Sequence, residues 1–352
     1  MTVFWFIPFC IIAFLAAFGF TPLIMYFCRK KNFLDIPDGV RKIHKSPISR
    51  MGGMAVFGSF FLTLILFNFI TNIHLSPWYM VGLGIIFLTG LLDDFITLAP
   101  WGKLMGQTIG ALCLIYGGVV IEFITLPLNS LLYIGFWGIP ITFLWIIGIT
   151  NSLNLIDGMD GLSSGIAAIA SCTLGIIALQ NGRLDSAFIS FFLMSSVLGF
   201  LPYNFPPAKI FIGDSGALFL GGVLAAVSVE GALKSATTFT LAVPILILGV
   251  PILDTFFAIV RRKKNGIPIT HPDRGHLHHR LLEKGLSHRE VVLVFYVISA
   301  SFSIFAIVID RFLSNSTYSL LITLLLFYIS WKWGKYLGVT EMSCGKKSTG
   351  KV

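Results

Sequence analysis

The chain predicts an all-α integral membrane protein of about eleven transmembrane helices, with its N-terminus outside and its C-terminus cytoplasmic. Three observations carry this. Of 352 residues, 56% are hydrophobic and only 12% charged, about half the charge of a typical soluble domain. The apolar residues fall in successive runs close to the roughly 20 residues that cross a bilayer. The basic residues fall almost entirely in alternate connections between those runs.

The expected spans cover residues 3–27, 51–71, 78–92, 104–120, 131–149, 162–180, 186–201, 215–230, 237–260, 290–309 and 317–336. The first lacks a basic leader, is too long for a signal peptide and is followed by Arg29, Lys30 and Lys31, so it reads as a retained span. Residues 119–128, rich in β-branched and aromatic types, suggest a short external strand or hairpin between spans four and five. Pro244 and Pro251 predict a kink in span nine. Gly161 and Gly165 open span six with spacing suited to close helix packing.

Topology follows from charge. One side collects the basic residues of 29–50 and 261–289, Lys103, Lys209, and those from Lys332 onward; the other keeps only Arg183, Lys234 and Arg311. The net charge of +9 is therefore a membrane signature, and nucleic acid is not expected as a partner. Cys10, Cys28, Cys113, Cys172 and Cys344 have no metal or redox spacing. One polytopic domain is expected over 1–336, with cytoplasmic loops at 28–50, 93–103, 150–161, 202–216 and 261–289, then a polar tail at 337–352.

The unusual polar residues all lie on the cytoplasmic side. Asp93 and Asp94 close the third span, where they repel one another and meet the negative end of the helix dipole. Such a pair beside an almost uncharged span points to function. Asp157 and Asp160 project to one side at i, i+3 spacing. Gly158 and Gly161 allow close ligand approach, and Asn151 and Asn154 add donors and acceptors. Asp214 precedes span eight, where a helix N-cap is an equal reading. His276, His278 and His279, near His271, lack the Cys or carboxylate company of zinc sites and read as phosphate contacts. The acids form an all-oxygen set suited to Mg²⁺, with Mn²⁺ an alternative. Arg41, Lys42, Arg50, Lys103, Lys209 and Arg274 share this face and supply charge for a phosphate-bearing substrate; Lys30, Lys31 and residues 261–264 read as topology alone. Asp254, inside span nine, is either functional or paired with a neighbouring helix.

In this order, the motifs resemble the polyprenyl-phosphate N-acetylhexosamine-1-phosphate transferases. These include the enzymes that start enterobacterial common antigen, O-antigen and wall teichoic acid synthesis, and the related MurNAc-pentapeptide translocases. The resemblance covers nearly the whole chain. It implies a catalytic set of Asp93, Asp94, Asp157 and Asp160, and a metal position at Asp214 with Asp94. It also implies substrate binding by Arg41, Lys42, His44, Arg50, Lys103 (with Gln107 following), Asn151, Asn154, Arg274, His276, His278 and His279. The translocases carry three consecutive histidines; this chain has His-Leu-His-His (276–279), which looks like the branch using UDP-GlcNAc or a related UDP-N-acetylhexosamine. The implied partners are that donor, undecaprenyl phosphate and the bilayer of the plasma (inner) membrane, with a homodimer one admissible assembly. Asp93 is expected to take a proton from the lipid phosphate, either in direct transfer or in a two-step route through an aspartyl-phosphate. An ion-coupled transporter is the rival class, but its acids would sit near the bilayer midplane, often in inverted repeats.

Overall fold

A computed structural model describes residues 6–34, 47–71, 76–125, 131–233, 242–266, 268, 275–312 and 316–337. Within these, α1 spans Ile7–Lys30, α2 Gly53–Thr71, α3 Pro77–Ile96 and α4 Pro100–Tyr116. A hairpin of β1 (Phe123–Thr125) and β2 (Leu131–Tyr133) precedes α5 (Gly138–Ile156). Then follow α6 (Leu162–Gln180), α7 (Leu184–Asn204), α8 (Gly213–Val227), α9 (Ala242–Ile247), α10 (Gly249–Lys264), α11 (Leu277–Glu283), α12 (His288–Phe312) and α13 (Ser316–Tyr336).

Among the described residues, eight helices are long and apolar enough to cross a membrane: α1, α2, α3, α5, α6, α7, α8 and α12. Large apolar side chains stay on the outside of the bundle, among them Leu15, Phe69 and Val297 at 59%, 85% and 66% exposure. Water would oppose such a surface; lipid covers it. The other three expected spans differ in kind. The fourth is a 17-residue helix that begins at Pro100 and carries Lys103 and Gln107 in its first turns. The eleventh, α13, is long enough but diluted by Ser, Thr, Tyr and Trp. The ninth is two short helices, α9 and α10, which meet at Leu248. Pro251 has no N–H for the Ile247 carbonyl four residues back, so the ladder is interrupted there. The kink is present, but as a break.

α8 sits at the centre, with every residue from Ser215 to Val227 buried. It packs on α2, α3, α5 and α6; α1 lies outside, against α2 and α7. Close crossings depend on missing side chains. A methyl on Gly53 would come within 2.3 Å of the Gly216 nitrogen, and one on Gly90 within 2.5 Å of the Asp214 carbonyl oxygen. Gly165 lets α12 approach as expected, since a methyl there would meet the Tyr296 ring at 2.0 Å. The Tyr296 hydroxyl then donates to the Gly161 carbonyl (2.5 Å). A hairpin forms but lies later than expected: its second strand, residues 131–133, occupies the start of the expected fifth span, whose helix begins only at Gly138, and Phe123 pairs opposite Tyr133. Its base is tied to α5 by the Ile121 N–H, which donates to Thr142 Oγ1 (2.8 Å).

Candidate active site

The end of α3, the start of α4, the end of α5 and the start of α8 converge. α3 continues to Ile96, so Asp93 and Asp94 lie in its last turn. Asp94 accepts two backbone N–H bonds from the first turn of α8, from Asp214 (2.8 Å, to Oδ1) and Ser215 (2.9 Å, to Oδ2). Its charge therefore meets the positive end of another helix, which offsets the unfavourable end of its own. Asp214 is consequently not the cap of α8. Its carboxylate turns outward, accepting from Lys103 Nζ (2.9 Å) and Asn154 Nδ2 (2.5 Å).

Lys103 is shared. Its Nζ is 2.6 Å from Asp93 Oδ2 and 2.9 Å from Asp214 Oδ2. Burial works against its charge, but Asp214 and Asp93 outweigh it and hold the ammonium above its ordinary pKa. The second Asp93 oxygen accepts the Leu98 N–H (2.7 Å), and Asp93 is only 6% exposed.

α5 brings the asparagines. Asn154 binds Asp214; Asn151 and Gln107 exchange amide hydrogen bonds of 2.7 and 3.3 Å. Asp157 ends α5 and accepts from Ser163 Oγ (2.5 Å). Enclosure in protein pushes its pKa well above the carboxylate range, and the charges of Asp214, Asp94 and Asp160 add to the shift. Asp160 accepts instead from the Ala208 N–H (2.9 Å), so the two acids of this motif have different partners. Asn204 fastens the same connection, taking the Ser164 hydroxyl (2.7 Å) and donating to the Ile210 carbonyl (3.0 Å).

The histidines arrive on α11. His276 and His278 are buried, 6% and 1% exposed, and their rings stack at 5.6 Å. His278 reaches the Asn-rich motif: a methyl on Gly158 would lie 2.8 Å from its Nε2. Burial drives the His278 pKa down to about 3, with Asp254 opposing, so the ring is neutral near pH 7. His279 is half-buried against it, ring centroids 4.3 Å apart.

Three features here are weakly marked in the sequence. Asp254 is tied to the histidine segment: His276 Nδ1 is 2.6 Å from its Oδ2, and the Leu277 N–H donates to Oδ1 (3.1 Å). Its position inside span nine was the available signal. Arg261 and Arg262, read as topology alone, are buried at 1% and 6% exposure, and only Lys263 and Lys264 of that run face outward. A methyl on Gly275 would lie 2.3 Å from Arg261 Nε. Ser163, the partner of Asp157, carried no signal beyond following the motif. Of the other expected residues, Arg50 places its carbonyl oxygen 2.0 Å from where a methyl on Gly213 would project. Arg41, Lys42, His44 and Arg274 lie outside the described residues, as does His271.

Oxygen donors dominate the site, which suits magnesium. Among the described residues no three acidic, His or Cys side chains converge as metal ligands.

The chain is similar to known proteins over most of its length. A family profile described as glycosyl transferase family 4 matches residues 76–232, from the start of α3 to just beyond α8. A probable undecaprenyl-phosphate N-acetylglucosaminyl 1-phosphate transferase of Bacillus subtilis is 42% identical over 300 residues, covering 85% of this chain and 83% of the relative. An undecaprenyl-phosphate alpha-N-acetylglucosaminyl 1-phosphate transferase of Thermotoga maritima is 32% identical, covering 88% and 93%. A phospho-N-acetylmuramoyl-pentapeptide-transferase of Halalkalibacterium halodurans is 30% identical, covering 85% and 96%. With matches of this length, the chain belongs to the polyprenyl-phosphate N-acetylhexosamine-1-phosphate transferases of glycosyl transferase family 4.

Proposed function

We propose that this protein transfers N-acetylglucosamine-1-phosphate from UDP-GlcNAc to undecaprenyl phosphate, releasing UMP and forming the first lipid-linked intermediate of a cell-envelope glycopolymer. The observation that carries this reading is the Asp93–Lys103–Asp214–Asn154 constellation at one end of the bundle. A transporter would want its charges near mid-membrane. The basic connections support eleven spans, with the site facing the cytoplasm of the plasma membrane.

In the reaction an oxygen of the lipid phosphate attacks the sugar-linked phosphorus, and the bond to the UMP oxygen breaks. Both reactants are anions, so the protein must position them and offset their charge. Lys103 is engaged by two carboxylates; on substrate arrival its ammonium turns to phosphate. That exchange frees Asp93 Oδ2 to accept the proton of the lipid phosphate. Asn154 keeps Asp214 oriented while Lys103 moves. Asp214 would hold Mg²⁺, with Asp94 fixing the turn that presents it. The metal, when bound, neutralises pyrophosphate charge. By the resemblance, Arg274 and the histidines would hold the donor pyrophosphate, with Arg41, Lys42, His44 and Arg50 as further substrate contacts. Asp157 and Asp160 shape the floor of the donor site.

The test is direct. Purified protein is incubated with a panel of UDP-sugars, undecaprenyl phosphate and Mg²⁺, and UMP and the lipid pyrophosphate are measured. Absence of product with every UDP-N-acetylhexosamine would overturn the proposal. Product with UDP-MurNAc-pentapeptide alone would move the chain to the translocase branch.

A further inference from the structure

We infer that Asp254 is a positioning residue, which locks the histidine segment against the Asn-rich motif and thereby sets the affinity for the uridine nucleotide. The inference rests on the donor-binding role given to the histidines above.

Asp254 lies on α10, 2% exposed, in a stretch that otherwise reads as membrane span. An acid is kept in such a place only when its charge is used. Both of its oxygens are engaged by one short segment. Oδ2 accepts from His276 Nδ1 at 2.6 Å, and Oδ1 accepts the Leu277 N–H at 3.1 Å, where α11 begins. One carboxylate therefore fixes both a ring and the backbone that carries it. With Nδ1 facing the carboxylate, Nε2 is the ring nitrogen of His276 left for other contacts.

The clamp continues into the site. The His276 ring lies nearly parallel to His278, with an interplanar angle of 10°. His278 in turn packs on Gly158, where a side chain would collide with its Nε2 at 2.8 Å. Neither ring nitrogen of His278 has a hydrogen-bond partner among the described residues. A buried polar ring without partners is costly, so a ligand that supplies one is favoured there. Asp254, His276, His278 and Gly158 form a continuous line from α10 to the end of α5.

The surroundings strengthen the first link. A cavity of about 190 Å³ adjoins Asp254, lined by Val250, Leu253, Phe257, Phe295 and Trp333 among others. In apolar company a charge-assisted hydrogen bond is worth more than in water.

The test compares full-length wild type with Asp254→Asn in detergent, using UDP as the probe. Three results are expected. UDP affinity falls roughly tenfold, the scale of one charged hydrogen bond. Hydrogen exchange speeds up across residues 276–283 while the first turn of α8 is unchanged. Asp254→Asn adds no further loss of affinity to His276→Ala. Should Asp254→Asn fail to fold, His276→Gln breaks the same link from the other side and must show the same loss. Unchanged UDP affinity, or losses that simply add in the double variant, would overturn the inference. Because binding is read separately from turnover, a wild type that binds UDP but releases no UMP defeats the transferase reading alone.

Discussion

Replacing Lys103 by methionine removes the ammonium that bridges Asp93 and Asp214 while keeping a side chain of similar length. Both carboxylate oxygens lie within 3 Å of Nζ, so they are less than about 6 Å from each other. At an effective dielectric of about 20, two like charges at that separation repel by about 3 kcal/mol. Asp93 has a side chain only 5% exposed, whereas Asp214 is at 32%, so solvent brings the figure to about 2 kcal/mol. Turnover suffers more, because a charged group aimed at the transferring phosphate is lost. A fall of about a hundredfold or more in kcat is expected. The assay pairs thermal unfolding in detergent at pH 7.5 with UMP release. Adding Asp214→Asn to Lys103→Met removes the repulsion, so the thermal midpoint recovers while activity does not. A Lys103→Met protein with wild-type midpoint and wild-type turnover would show that the bridge is incidental and would refute the reasoning.

Other consequences can be checked alongside. Gly213 has φ +72° and faces the Arg50 carbonyl oxygen, which a methyl would approach to 2.0 Å. Gly213→Ala should therefore cost more than the roughly 1–2 kcal/mol of left-handed backbone strain alone, seen as a lowered thermal midpoint and yield. His278 has a folded pKa of about 3 against an ordinary 6.5. The unfolded chain binds the extra proton between those values, so stability is held above pH 6.5 and lost as pH falls toward 3. At pH 5 the loss is about 2 kcal/mol, and His278→Phe should flatten the midpoint-versus-pH curve over that window. Chelation by EDTA should abolish UMP release, and Mg²⁺ or Mn²⁺ should restore it. The metal should raise the thermal midpoint strongly only when nucleotide is present, since phosphates complete its shell. Turnover indifferent to EDTA would remove the metal from the proposal.

How far the sequence was legible depends on the range of the interaction concerned. The bounds of α6, residues 162–180, were readable because Gly161 and a continuous apolar run are local signals. The break at Leu248 was half readable: two prolines mark a bend, but whether one helix survives depends on what packs there. The face that gathers Asp93, Lys103, Asn154 and Asp214 was legible from charge asymmetry. Which atom meets which was not, because Lys103 and Asp214 are 111 residues apart. The burial of Arg261 was invisible for a different reason. The topology rule treats every cation as solvated, and the space beside Arg261 exists only because Gly275 has no side chain.

The adjacent aspartates show how backbone approach becomes chemistry. Successive helical residues point about 100° apart, so Asp93 and Asp94 meet different groups at the start of α4 and α8. At the close of α3 both would be repelled by their own helix and by each other. The glycines change that balance. Gly90 brings α3 against the first turn of α8, and Gly53 brings α2 against Gly216. The N-terminus of α8 is thereby set within hydrogen-bond range of Asp94, which spends its charge on two backbone N–H groups. Asp93, rotated away, is left to Lys103. Asp214, relieved of capping its own helix, also faces Lys103. Two like acids thus acquire different partners, one fixing a helix and the other paired with the Lys103 ammonium. The division rests on glycines that carry no chemistry of their own.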